Sequence, residues 1–291
     1  MSDAKEIRKF YLKRLISILP LYYVYAIVNI IYNIADNGMY AVVEECLLMP
    51  IETLGLQSIF STLFPFSHNG GSWFISCILI CYFAFPLILI LTKELTDKTK
   101  TIIVIVLGAL LLWSPFVHHY FHTTSIYANP FFRLFEFSIG VLVCQMNIKQ
   151  NTQNRIVRLF RTPYLCAITI CILITGVSIA RKIGVPSDFM LYNWIALPCF
   201  ISLLISLGYI RFEIVQRSKI IQYLSALSFS IFLSQLVFVW KYVQSFVEIM
   251  SCDSNIFKII ISATICFVLA NLLHFFIEKP SSRYLKTKLL K

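Results

Sequence analysis

The sequence predicts an all-α integral membrane protein of about eight transmembrane helices with both termini cytoplasmic, and three observations predict it. Of the 291 residues, 58% are hydrophobic and only 13% charged, against roughly a quarter charged in soluble domains. Apolar runs of about 20 residues, enough to span a hydrocarbon core, recur along the chain. The basic residues fall in short blocks between those runs, the pattern that orients a protein in a bilayer.

Seven runs are free of charge, at 15–34, 73–92, 101–120, 163–180, 189–210, 220–240 and 259–277. An eighth, 130–147, is long enough but carries Arg133 and Glu136 near its start. With the N-terminus inside, 20 of the 25 Lys and Arg fall in inside segments. Arg133, Arg181, Lys182, Lys241 and Lys258 remain for the outer side, so both termini are placed in the cytoplasm. The first run is expected to stay as a helix, because no small-residue cleavage site follows it.

The stretch 39–66 is apolar but broken by Glu44, Glu45, Pro50, Glu52 and Pro65. Counting it as a span would put every later basic loop on the wrong side. It is therefore read as part of an outer loop or re-entrant segment, 35–72, within a single domain covering 1–291. The net charge of +11 is spread over loop blocks rather than gathered in a patch, so no nucleic-acid partner is expected and the lipid bilayer is. Of the 9 Cys, most sit inside apolar runs as small hydrophobes. Cys46 and Cys252 fall in outer segments, where two unpaired thiols are a simpler expectation than a disulfide.

Local motifs carry the functional reading. The entry to the first span reads Phe10-Tyr-Leu-Lys-Arg-Leu-Ile-Ser-Ile-Leu-Pro20, and the second opens with Ser72-Trp-Phe-Ile-Ser76, followed by Tyr82 and Pro86. Further on stand Asn129-Pro-Phe-Phe-Arg-Leu-Phe-Glu-Phe-Ser-Ile-Gly140, Leu224-Ser-Ala-Leu-Ser-Phe-Ser-Ile-Phe-Leu-Ser-Gln235 and Ile277-Glu-Lys-Pro280. In this order the five resemble the acyltransferase 3 family of membrane O-acyltransferases over nearly the whole chain. Members of that family generally have ten spans, and the first carries an Arg followed eleven residues later by a His. None of the five His here has an Arg eleven positions before it, and the chain resembles the family from its third helix onward. It also has Ser17 where a second Arg is usual and Gln235 where a His is frequent.

The resemblance implies transfer of an acyl group, with acetyl the expected one, from acyl-coenzyme A to a carbohydrate hydroxyl. The acceptor would be a cell-surface polysaccharide or glycolipid, and the location a bacterial inner membrane. Such chemistry needs a base for the hydroxyl proton, donors for the developing oxyanion and cations for the coenzyme phosphates. Lys13 and Arg14, at the mouth of the first helix, are the candidates for the donor phosphates, with orientation anchors an equal reading. Arg133 and Glu136 are three apart and share a helix face at membrane depth, where ionisable groups face a cavity or one another. They are candidate catalytic residues, the site role being what the resemblance implies and a purely structural ion pair the alternative.

His68, in a Gly-rich loop, is a candidate acceptor-side base, with a solvated loop histidine the plainer reading. Trp73 and Gln235 are candidate substrate contacts, although Gln235 and its serines also suit ordinary helix packing. Glu278 is expected to pair with a nearby basic residue. His118, His119 and His122 crowd a helix end without a third ligand, so an interfacial belt is expected there and no metal. Two other classes compete with the enzyme: a non-catalytic shortened relative that binds a glycolipid or partner, and a small glycan transporter.

Overall fold

A computed structural model describes residues 4–60, 72–121, 127–146, 163–185, 194–209, 217–235 and 255–290. They are helical, with no strand among them. In chain order the helices are α1 (Ala4–Asn37), α2 (Met39–Thr53), α3 (Ser72–Thr92), α4 (Asp97–Phe121) and α5 (Pro130–Gln145). They continue as α6 (Pro163–Ile183), α7 (Ala196–Tyr209), α8 (Lys219–Ser234), α9 (Asn255–Leu273) and α10 (Lys279–Leu289). A 3₁₀ turn, Gln57–Phe60, follows α2, and a π-turn, His274–Glu278, joins α9 to α10.

Among the described residues five stretches are long and apolar enough to cross a membrane: Ala4–Asn37, Trp73–Thr92, Asp97–Phe121, Tyr164–Ile183 and Ile256–Leu289. The runs at 130–147, 189–210 and 220–240 correspond to the shorter helices α5, α7 and α8, of 16, 14 and 16 residues. Large apolar side chains such as Ile102, Ile105, Val106 and Trp113 stay exposed along α4, as suits a surface that meets lipid rather than water. The protein is an integral membrane protein.

At 34 residues each, Ala4–Asn37 and Ile256–Leu289 are about 51 Å long, against a hydrocarbon core of about 30 Å. Each must project a turn or more beyond the core, and the sequence makes the projecting ends basic. Lys5, Arg8, Lys9, Lys13 and Arg14 lie at the start of α1, and Lys279, Arg283, Lys286 and Lys288 lie on α10. The two ends pack side by side, α10 against α1.

Backbone contacts divide the chain into two compact units, Met1–Tyr82 with Ile214–Lys291, and Phe83–Glu213. In the first, Ile18, Leu21, Tyr22 and Tyr25 of α1 pack with Ile75 and Leu233 around a core that Phe74, Phe232, Leu273 and Ile277 complete. The Phe74 and Phe232 ring centroids are 4.8 Å apart. The second unit centres on Leu111, Ile139, Val143 and Leu197, drawn from α4, α5 and α7. There Thr92 donates to Gln145 (2.9 Å) and the Trp194 indole to the Leu112 carbonyl (2.8 Å).

Within the first unit α2 folds back along α1. Gly38, at φ 63°, makes the reversal in the left-handed conformation that a residue without Cβ adopts freely, and its amide donates to the Ile34 carbonyl. Asn33 then donates to Glu45 (2.9 Å), and the Tyr22 and Tyr23 hydroxyls donate to the carbonyls of Glu52 and Thr53 at 2.7 and 2.9 Å. This pairing is antiparallel and returns the chain from Asn37 to the level of Tyr22. The glutamates that broke the apolar pattern here, Glu45 and Glu52, are both buried. Beyond α2, Gln57 donates to the Tyr22 hydroxyl (3.2 Å) and the Ser58 amide to Ser76 Oγ of α3 (3.2 Å).

Candidate functional site

The basic end of α1, with Lys286 of α10, lines an open cavity of about 540 Å³, whose walls are Glu6, Lys9, Phe10, Lys13, Arg14, Ser17 and Lys286. On α1, Phe10, Arg14 and Ser17 recur at helical spacing and so share one face. The Arg14 guanidinium lies over two rings, 5.4 Å from the Phe10 centroid and 4.9 Å from that of Tyr82 on α3. These contacts hold the planar cation in place without neutralising it. Four cations against one carboxylate leave the cavity positively charged, with aromatic wall at its base.

A line of polar side chains crosses the apolar core of the same unit. Ser234 gives its proton to the Ser230 carbonyl (2.7 Å), so the Tyr25 hydroxyl must be the donor in its 2.6 Å contact with Ser234 Oγ. Ser230 in turn donates to Glu278 Oε2 at 2.8 Å, and His274 Nδ1 lies 2.9 Å from the same oxygen. An ionised carboxylate only accepts, so against one Nδ1 is the donor, and the neutral imidazole then carries its lone pair on Nε2. Nε2 makes no hydrogen bond among the described residues. The His274 and Glu278 side chains are 15% and 18% exposed, sheltered without being sealed.

The π-turn beneath this pair has a local cause. Pro280 lacks an N–H for the carbonyl four residues back, and its ring crowds that carbonyl, so the helix widens there. The Lys279 amide donates instead to the His274 carbonyl, five residues back. Single π-turns of this kind are frequent at functional sites.

In the second unit, Arg133 and Glu136 form an ion pair at 2.6 Å, one turn into α5. The helix starts cleanly because Asn129 caps it, accepting from the Phe131 amide, with Pro130 in the first turn. Arg133 Nε also donates to the Tyr127 carbonyl (2.8 Å), and its guanidinium lies 4.9 Å from the Tyr127 ring centroid. Glutamate, carbonyl and ring thus hold the guanidinium from three directions, and the pair is about three-quarters buried.

The acyltransferase 3 family model, described as an acyltransferase domain, matches residues 2–277, almost the whole chain. The chain belongs to the acyltransferase 3 family. No curated protein and no solved structure matches it.

The acyltransferase distributes its sequence-predicted site residues unevenly. Lys13 and Arg14 do meet in one cavity, joined by Lys9 and Lys286. Arg133 and Glu136 pair with each other. His68 lies outside the described residues, as do His122 and Cys252, while Cys46 is an exposed free thiol. Trp73 opens α3 with its ring edge-on to Phe74 (6.0 Å), and Gln235 caps α8, exposed, one residue beyond Ser234. Among the described residues no group of three His, Cys, Asp or Glu could hold a metal. Glu278 pairs with an imidazole and a serine rather than with a Lys or Arg.

Sequence reasoning missed the cluster of His274, Ser230, Ser234 and Tyr25. The signal was present in the spacing: His274 and Glu278 are four apart, as are Ser230 and Ser234, and each couple therefore shares a helix face.

Proposed function

We propose that this acyltransferase uses acyl-coenzyme A, with acetyl the expected acyl group, and delivers the acyl group to a carbohydrate hydroxyl of a cell-surface polysaccharide or glycolipid. The observation that carries the donor assignment is the cavity between α1 and α10. Lys9, Lys13, Arg14 and Lys286 suit the several phosphates of a coenzyme A, and its 540 Å³ is the size of an ordinary small-molecule site. A free sugar or a lipid tail would have no use for four cations.

The basic ends of α1 and α10 would face the cytoplasm of a bacterial inner membrane, where acyl-coenzyme A is made, in keeping with the basic-loop asymmetry. Arg133 and Glu136 would hold the start of α5 in shape as candidate catalytic residues of their own unit, and Trp73 and Gln235 are candidate substrate contacts of the other. The acceptor class rests on the family resemblance, and function follows from a family only by analogy.

The test is equilibrium binding of radiolabelled acetyl-coenzyme A to the chain in lipid nanodiscs, followed by transfer to a panel of polysaccharides. Binding that is lost in Lys13→Ala with Arg14→Ala, together with label on a carbohydrate, supports the reading. Equal binding by wild type and double variant would refute the donor site.

A further inference from the structure

We propose that His274 is the general base of acyl transfer in this chain, with Glu278 and Ser230 as positioning residues. The inference rests on the acyl-coenzyme A reading above and adds a site to it. A base for a hydroxyl proton needs a neutral imidazole with one nitrogen fixed and the other bare. His274 meets both conditions: Nδ1 is held on Glu278 Oε2 at 2.9 Å, and Nε2 makes no hydrogen bond among the described residues. Ser230, at 2.8 Å from the same carboxylate oxygen, fixes the carboxylate from α8. The π-turn commits backbone to this geometry at the cost of a regular helix.

The position also suits the donor. Lys286, in the cavity wall, lies twelve residues beyond His274, or about 18 Å along a helix. On α1, the cavity face of Arg14 and Ser17 continues to Leu21 and Tyr25, eleven residues and about 16 Å from Arg14. Tyr25 is tied to Ser234 at 2.6 Å, one turn from Ser230, and Ile277 packs on the core that Leu21 and Tyr25 build. An acyl-coenzyme A carries its thioester at the far end of a long flexible arm. Phosphates held at Arg14 and Lys286 would leave the arm to run inward, toward the depth of His274.

The step balances as follows. The acceptor hydroxyl oxygen bonds to the thioester carbonyl carbon while its proton passes to His274 Nε2, and Glu278 stabilises the imidazolium. The tetrahedral intermediate collapses with loss of the carbon–sulfur bond, and the leaving thiolate takes the proton from Nε2. One hydroxyl and one thioester become one ester and one thiol, and His274 is returned to its starting state.

The experiment uses the full chain in nanodiscs with acetyl-coenzyme A and the carbohydrate panel. His274→Gln is expected to lower kcat by about 10²- to 10⁴-fold with KM for acetyl-coenzyme A within about twofold. Glu278→Gln is expected to lower kcat by about tenfold or more, with labelled donor still bound. His119→Ala, at the end of α4, serves as a control expected to leave kcat unchanged. His274→Gln turning over at the wild-type rate would overturn the proposal.

A second reading needs neither a variant nor turnover: diethyl pyrocarbonate labelling of wild-type His274, followed by peptide mass. Labelling slowed by saturating acetyl-coenzyme A is expected. Labelling that the donor leaves unchanged, or an imidazole that does not label, would overturn the proposal. Failure of wild type to bind acetyl-coenzyme A defeats the donor reading instead, and this inference falls with it.

Discussion

The hydroxyl of Tyr22 donates a 2.7 Å hydrogen bond to the backbone carbonyl of Glu52, thirty residues further along the chain. That bond ties the end of α2 to the middle of α1. Both residues are buried, and Gln57 donates to the same hydroxyl, so the tyrosine joins three parts of one fold-back. The Glu52 carbonyl accepts from the Gly55 amide as well, so the tyrosine adds a second, long-range donor to a carbonyl at the end of α2.

Tyr22→Phe should therefore remove one of two donors to the Glu52 carbonyl, the other being the Gly55 amide, together with an acceptor for Gln57, at a cost of about 1 kcal/mol. The check is a lowered unfolding temperature in detergent together with faster amide hydrogen exchange confined to 39–53. Unchanged exchange in that segment would show that the bond does not hold α2 in place.

Gly55 turns the chain after α2 at φ 66°, and a Cβ built on it would meet Leu79 Cδ1 at 2.7 Å. Gly55→Ala combines left-handed strain of about 1–2 kcal/mol with a clash. Adding Leu79→Ala should not rescue the variant fully, because the backbone penalty stays. A double variant as stable as Leu79→Ala alone would contradict this account.

Arg133→Ala strands the Glu136 carboxylate in a largely buried position and should cost about 2 kcal/mol. Replacing both residues, with Met and Leu, should cost less than the single change, since a buried pair is dearer to break than to remove. A double-mutant cycle on unfolding in detergent measures the coupling, expected at about 1 kcal/mol or more. Additive effects would mean that the pair contributes nothing as a pair.

The spans and the basic cavity were legible in the sequence for the same reason. Lipid selects for uncharged runs of fixed length and leaves cations at their ends, so Lys13 and Arg14 stood out at the edge of 15–34. Lys286 was visible only as one more basic residue of the C-terminal tail, because nothing local says that α10 packs beside α1. The hairpin of α2 was half legible: the glutamates excluded a plain span, but their burial against Asn33 and Tyr22 depends on contacts 12 and 30 residues away. The His274 cluster was the least legible. Its histidine sits inside an apolar run, and its serines lie on another helix forty-odd residues earlier, joined only by packing.

Arg14 separates charge from shape. Its guanidinium lies over Phe10 and Tyr82, and a lysine at this position keeps the charge but loses the planar face. Arg14→Lys should weaken acetyl-coenzyme A binding by several-fold and Arg14→Ala by about tenfold, which is the worth of about 1.4 kcal/mol. Binding to wild type should fall as salt rises from low to physiological ionic strength, since exposed charges are screened over about 8 Å there. Salt-independent binding would argue against cations as the anchor.

The most direct test of the central claim is transfer itself. Nanodiscs holding the full chain are given acetyl-coenzyme A labelled in the acetyl group with the carbohydrate panel, and the label is followed to ester-linked product. The account predicts labelled carbohydrate from wild type and a rise in KM for the donor in Lys13→Ala with Arg14→Ala. Labelled product formed with the same KM by that double variant would contradict the donor site. Wild type that binds the donor yet labels no carbohydrate would contradict the proposed acceptor class.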